Sequence, residues 1–162
     1  MDDKPRRRFN LSCIIQEILF AGGNMPDLRP LKVFLCHATE DKPKVRDLYR
    51  RLTADGAEVW LDEVSLLPAQ DWRIELPAAA RAADAVIVCL TSHAADKEGY
   101  IQKEIRFALD AADEKPDGTI YIIPAKLEDC RVPSRLAQWQ WVDLFDADEH
   151  GYERLLLSLR IR

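Results

Sequence analysis

Ala85-Val86-Ile87-Val88-Cys89-Leu90 is apolar at every position. A short run of this kind, rich in β-branched side chains and lacking polar alternation, fits a strand buried on both faces. Upstream, Asp71 can cap a helix running to about Ala83, with Trp72, Leu76, Ala79 and Ala83 on one face. Pro77 inside that helix predicts a kink. Before it come a loop over Glu63 to Gln70 and a strand over Glu58 to Asp62. A further helix spans Asp41 to Asp55, with Val45, Leu48, Tyr49 and Leu52 at helical spacing and Gly56 placed to end it. The first strand is Leu31 to His37. Downstream, Lys97 to Ala112 reads as a helix with Ile101, Ile105, Ala108 and Ala112 inward. After the turn Pro116-Asp117-Gly118 comes a strand from Thr119 to Pro124. Leu127 to Gln138 is irregular with a short helix, Gln140 to Leu144 is a fifth strand, and Tyr152, Leu155, Leu156 and Leu159 define a closing helix.

Strand and helix thus alternate five times, which implies a parallel sheet with helices on both faces. The expected fold is α/β, a flavodoxin-like five-stranded parallel sheet of order 2-1-3-4-5. In such sheets ligands bind beyond the carboxyl ends of the strands, near the switch point between strands 1 and 3. The loops after Cys36, Leu61 and Leu90 are therefore the ones that matter.

The chain has 162 residues, the length of one ordinary domain, and 48% of them are hydrophobic. Its formal charge of −5 argues against a nucleic-acid partner, which selects for basic patches. No apolar run reaches the ~18 residues of a membrane span. Gln16 and Glu17 break the apolar stretch after Arg6-Arg7-Arg8 too early for a signal peptide. Cys13, Cys36, Cys89 and Cys130 form no CxxC pair, so reduced, mostly buried thiols and a cytoplasmic location are expected. Residues 31–162 form the domain. Residues 1–30 are expected to be an extension, disordered or carrying one short helix through Leu11, Ile14, Ile15, Ile18 and Leu19. A second reading makes Met25 the natural start.

Several chemistries lack their motif. His37-Ala38-Thr39-Glu40-Asp41 after the first strand is not a GxGxxG clamp, and there is no P-loop or GxSxG. His37, His93 and His150 have no partner at metal spacing, so no metal site is expected. A phosphate-accepting carboxylate at the end of the third strand is also missing, where the sequence reads Cys89-Leu90-Thr91-Ser92. Tyr100 and Glu104 lie at i and i+4 on the helix after that strand, so they share a face at the ligand-binding end of the sheet. From spacing alone Glu104 is either a solvated residue or a placed carboxylate among Ile101, Ile105 and Phe107.

Three stretches together resemble the Toll/interleukin receptor (TIR) domain, in its bacterial form. Val33 to Asp41 resembles the first-strand box, and Trp60-Leu61-Asp62 through Asp71-Trp72 resembles the second box with its long BB loop. Trp139-Gln140-Trp141-Val142-Asp143-Leu144 resembles the last-strand box. The resemblance covers about Leu31 to Leu159. It implies one of two functions: a non-catalytic module for protein–protein contact, or an enzyme that hydrolyses or cyclises NAD+ as substrate, with no further cofactor. In the enzymes the catalytic group is a glutamate four residues beyond an aromatic, positions matched by Glu104 and Tyr100. Tyr100 stands where Trp is more frequent. The resemblance places His37, Asp62 and Trp72 at substrate-binding positions. Each keeps an alternative: His37 bonding a strand end, Asp62 capping a turn, Trp72 packing in the core. Trp139 and Trp141 are assigned to core and sheet packing. Ala69 stands where the BB loop usually has glycine. The resemblance also implies self-association through TIR–TIR contacts, a sensor domain or partner, and a role as effector in bacterial (antiviral) defence or signalling. A deoxyribosyltransferase-like enzyme, with a similar sheet and a glutamate, is a third reading that lacks the BB-loop box.

Overall fold

A computed structural model describes residues 29–93, 100–116, 119–145 and 149–160, with the side chains of residues 100–104 outside the description. The expectations for residues 1–28 and for the start of the helix at Lys97 therefore fall outside the described residues. The sheet contains β1 (Lys32–Cys36), β2 (Glu58–Trp60), β3 (Ala85–Leu90), β4 (Ile122–Lys126) and β5 (Val142–Asp143). All pairings are parallel and the order is β2-β1-β3-β4-β5, as expected. The helices are α1 (Lys42–Ala54), α2 (Asp62–Ser65), α3 (Trp72–Ala82), α4 (Tyr100–Asp113) and α5 (His150–Arg160), with 3-10 turns at Thr39–Asp41 and Ser134–Leu136.

Every residue of β3 is buried, and its alternate side chains feed two separate cores. Ala85, Ile87 and Cys89 pack with Val45, Leu48 and Leu52 of α1 and with Tyr152, Leu155, Leu156 and Leu159 of α5. Val86, Val88 and Leu90 pack with Leu76 and Ala80 of α3 and with Ile105, Ala108 and Ala111 of α4. Phe34 of β1 stacks on its register partner Trp60, with centroids 4.8 Å apart.

Local chemistry explains two of the helix ends. Gly56, at φ 95°, ends α1: its N–H bonds the Thr53 carbonyl, and the Ala57 N–H reaches back to Leu52. That is a Schellman cap, with Ala57 and Leu52 sharing the same core. Asp71 caps α3 by accepting from the Arg73 N–H at 3.0 Å. Pro77 sits inside α3, which continues to Ala82. Gly151 is fixed by packing, because a Cβ there would meet the Asp143 carbonyl oxygen of β5 at 1.7 Å.

Several boundaries differ from the sequence reading. The fourth strand runs Ile122–Lys126, not Thr119 to Pro124, so Pro124 lies inside it. The Lys126 carbonyl accepts from Leu144 while the Leu127 N–H donates to Leu90, so Ile122, Pro124 and Lys126 turn their backbone groups toward β5. Pairing with β5 begins only at Ala125, so the missing N–H of Pro124 has no strand to serve. β5 is reduced to two residues, β2 ends at Trp60 and α2 begins at Asp62 where strand and then loop were expected, and in α4 Ala111 is buried with Ile105 and Ala108 while Ala112 is only partly buried. Trp139 is partly buried against the α3–α4 side, but Trp141 is 38% exposed beside the edge strand β5 and is no core residue. Cys36 and Cys89 are buried free thiols and Cys130 is a half-buried one. No described helix is long and apolar enough to cross a membrane.

Candidate functional site

The sheet order puts the switch point between β1 and β3, and the buried polar residues cluster there. Among the described residues these are His37, Asp41 and Thr91, each at most 5% exposed. His37 directly follows β1, Asp41 closes the 3-10 turn after it, and Thr91 directly follows β3. Polar groups so deeply buried need internal partners.

His37 has two. Its Nδ1 lies 2.8 Å from the Ala38 carbonyl oxygen and its Nε2 lies 3.0 Å from Asp62 Oδ1. The fold thus joins two residues that sequence reasoning nominated separately. Asp62 opens α2, beyond the end of β2, and its Oδ1 also accepts from the Glu63 N–H at 2.7 Å. Partial burial works against the charge on Asp62. The hydrogen bond from His37, its charge, the Glu63 N–H and nearby Lys42 outweigh that cost and hold the carboxyl below its ordinary value. Beside it Glu63 receives a two-pronged contact from Arg46, with Nη2 at 2.9 Å from Oε2, which lowers its carboxyl as well.

Asp41 and Thr91 form the second buried pair, with the threonine hydroxyl donating to Asp41 Oδ2 at 2.6 Å. Sequence reasoning treated Asp41 as the start of a helix and the end of the first-strand box, and gave Thr91 no role. No local signal marks either residue, because the bond joins positions 50 apart. A further carboxylate at the strand ends, Glu128, also went unnoticed in a stretch read as irregular. It accepts from the Ser92 N–H at 2.7 Å, from the Ser92 hydroxyl and from Lys44. The Lys44 ammonium and then the two Ser92 donors depress it to about 2. Asp41, Thr91, Ser92 and Glu128 thereby lace the ends of β1, β3 and β4 together.

The segment between α2 and α3 is a tight turn. The Gln70 N–H bonds the Leu67 carbonyl at 3.1 Å, with Pro68 second and Ala69 third at φ 74°. This is the signature of a type II turn, whose third position favours glycine. The expectation of glycine at position 69 thus has a backbone reason, which Ala69 meets under strain. Trp72 is the first residue of α3 and is 39% exposed, so the core alternative is wrong for it. Its helix neighbours Leu76 and Ala80 pack in the core on the α3–α4 side. Val64, Leu67 and Ile74, close to it in sequence, are exposed as well. Tyr100 and Glu104 lie within the first five residues of α4, the helix that follows β3. Their side chains are outside the described part of the structure.

Comparison with known proteins gives consistent findings. A family model described as a TIR domain matches residues 33–156. The NAD(+) hydrolase PdTIR of Paracoccus denitrificans is 39% identical over 77 residues, covering 47% of this chain and 25% of that protein. The uncharacterized protein y4cD of Sinorhizobium fredii is 26% identical over 110 residues, covering 68% of this chain and 17% of that protein. The chain therefore spans a quarter or less of the length of these curated relatives. Among solved structures, the TIR domain of the Toll-related receptor TRR-2 from Hydra magnipapillata aligns with TM-score 0.65 at 21% identity, covering 79% of this chain and 97% of that one. The TIR domains of the activated Roq1 resistosome align with TM-score 0.61 at 14% identity, covering 80% and 99%. A prokaryotic SEFIR domain aligns with TM-score 0.60 at 17% identity, covering 80% and 98%. These structural likenesses concern the fold.

Proposed function

The chain belongs to the TIR-domain family, and on that premise we propose that it is an NAD+ glycohydrolase that cleaves the nicotinamide–ribose bond. The observation that carries this reading is the 39% identity to a segment of an NAD(+) hydrolase. The position of Glu104 on the helix after β3, at the end of the sheet where α/β folds bind ligands, agrees with it.

The chemistry asks little of the protein. The bond between the ribose carbon and the pyridinium nitrogen breaks, its electron pair staying on nitrogen, so nicotinamide leaves as a neutral base. An oxocarbenium-like ribose develops, as in glycoside hydrolysis. In this reading Glu104 stabilises that positive charge. Tyr100 offers an aromatic surface for the ring, and Asp62 and Trp72 line the approach from the loop before α3. Attack by water, or by an atom of the same dinucleotide, completes hydrolysis or cyclisation. Val64, Leu67 and Ile74 are exposed apolar side chains against which a second copy would pack, so activity is expected to rise with self-association. The setting is a cytoplasmic effector in defence or signalling, coupled to a sensor.

Nicotinamide release, followed at increasing protein concentration, tests the reading. Turnover per molecule should rise with concentration, and Glu104→Ala should lower it by about 100-fold or more. Equal release from the variant would remove Glu104 from its role. No release from the assembled wild type would leave the chain a TIR interaction module.

A further inference from the structure

The contacts around His37 do not suit a residue that touches substrate. His37 is 2% exposed, and both of its ring nitrogens are committed within the protein. We infer that His37 is a buried imidazolium, a positioning residue that clamps Asp62 and the start of the loop between β2 and α3 to the end of β1. This assignment replaces the substrate-contacting role that the family resemblance implied for His37.

The argument is one of donors and acceptors. The Ala38 oxygen is a carbonyl, which only accepts, and it already takes the Asp41 N–H at 3.0 Å. Asp62 is ionised at neutral pH and likewise only accepts. A neutral imidazole has a single N–H, so one ring nitrogen would point its lone pair at an oxygen lone pair 2.8 or 3.0 Å away. Turning the ring over would put carbons in place of nitrogens and lose both bonds. Only the doubly protonated ring satisfies both partners, and the adjacent carboxylate offsets much of the cost of burying its charge. The charged groups that act on Asp62 or on its neighbour Glu63 include Lys42 and Arg46 of α1. The two cations are engaged with Glu63.

The clamp has mechanical work to do because α2 cannot hold itself in place. It is four residues long, well below the length at which a helix is stable alone. Its N-cap, Leu61, supplies no side-chain cap bond. What anchors it to β1 is Asp62. The hydrogen bonds run from Asp62 through His37 to the Ala38 carbonyl, on to the Asp41 backbone, and from the Asp41 carboxylate to Thr91. One chain of bonds thus ties together the loops after β1, β2 and β3, the three loops that border the switch point.

The inference is tested without NAD+, so it stands or falls apart from the proposed activity. In protein labelled with 15N-histidine, the resonances lost in His37→Gln identify the ring. Both of its nitrogens are expected to carry protons from about pH 6 to 8, with one proton lost at neutral pH in Asp62→Asn. A single ring N–H in the wild type at pH 7 would overturn the imidazolium. Hydrogen exchange then reads the positioning. His37→Gln should speed exchange of the amides of residues 63–66 by about tenfold or more, with β3 amides unchanged. Should His37→Gln fail to fold, Asp62→Asn gives the same readout, and exchange equal to wild type in residues 63–66 would overturn the clamp.

Discussion

The middle of the sheet and its carboxyl-terminal rim are built on opposite terms. Val86, Ile87 and Val88 are fully buried among other apolar side chains, and nothing there depends on charge. A few ångströms along the same strands, His37, Asp41 and Thr91 are just as deeply buried, yet each is polar. The first region is held by burial, which is non-directional and tolerant of small shifts. The second is held by hydrogen bonds of fixed geometry, which fail when one partner is lost. Such a rim fixes the shape of a site more sharply than apolar packing does, at the cost of sensitivity to substitution and to pH.

That contrast can be broken from either side. The largest expected effect is in the apolar region: Ile87→Ala should lower the unfolding free energy by about 4 kcal/mol in urea denaturation, since it opens a cavity between the sheet and the layer of α1 and α5. At the rim, Thr91→Val keeps the shape but removes the hydroxyl that serves the Asp41 carboxylate, and should cost about 2 kcal/mol in the same measurement. A near-neutral result would mean that the buried pair carries little stability. In the loop, Ala69→Gly should add about 1 kcal/mol by relieving a left-handed conformation that alanine dislikes.

The rim and the opposite, amino-terminal end of β4 should respond to opposite ends of the pH scale. Asp62 and Glu128 have folded values below their unfolded ones, so their stabilisation is complete above the ordinary carboxylate range and is lost as pH falls. For Glu128 the loss falls between 4.5 and about 2. Tyr121, buried under α3 with its hydroxyl donating to the Ala80 carbonyl, is pushed up by burial and then by Glu114 to about 12. Its stabilisation is present below pH 10 and is lost as pH rises from there toward 12. Thermal melts across both ranges check the signs. Acid melting at Glu128→Gln should be less steep than in the wild type.

The body of the fold was readable because each signal is local. An all-apolar hexapeptide means a strand covered on both sides, and β3 is one. Apolar residues at helical spacing mark a face, and the faces named for α1 and α5 are those that pack. Gly56 and Asp71 announced the helix ends that they cap. The errors fall where neighbours decide. Pro124 could enter β4 because β5 is too short to need its N–H. Trp141 is large and apolar, yet it lies beside the edge strand, where no layer covers it completely.

The sequence by itself determined the fold class, the strand order and which end of the sheet to examine, since periodicity and turn chemistry act over a few residues. It also nominated His37 and Asp62, but as separate groups. Only the tertiary structure decided that they bond to each other, that Asp41 pairs with Thr91, and that Glu128 closes onto Ser92 and Lys44. Those bonds link residues 25 to 84 positions apart. Hydrogen bonding acts only across a few ångströms, and the chain must fold before such residues come within its reach.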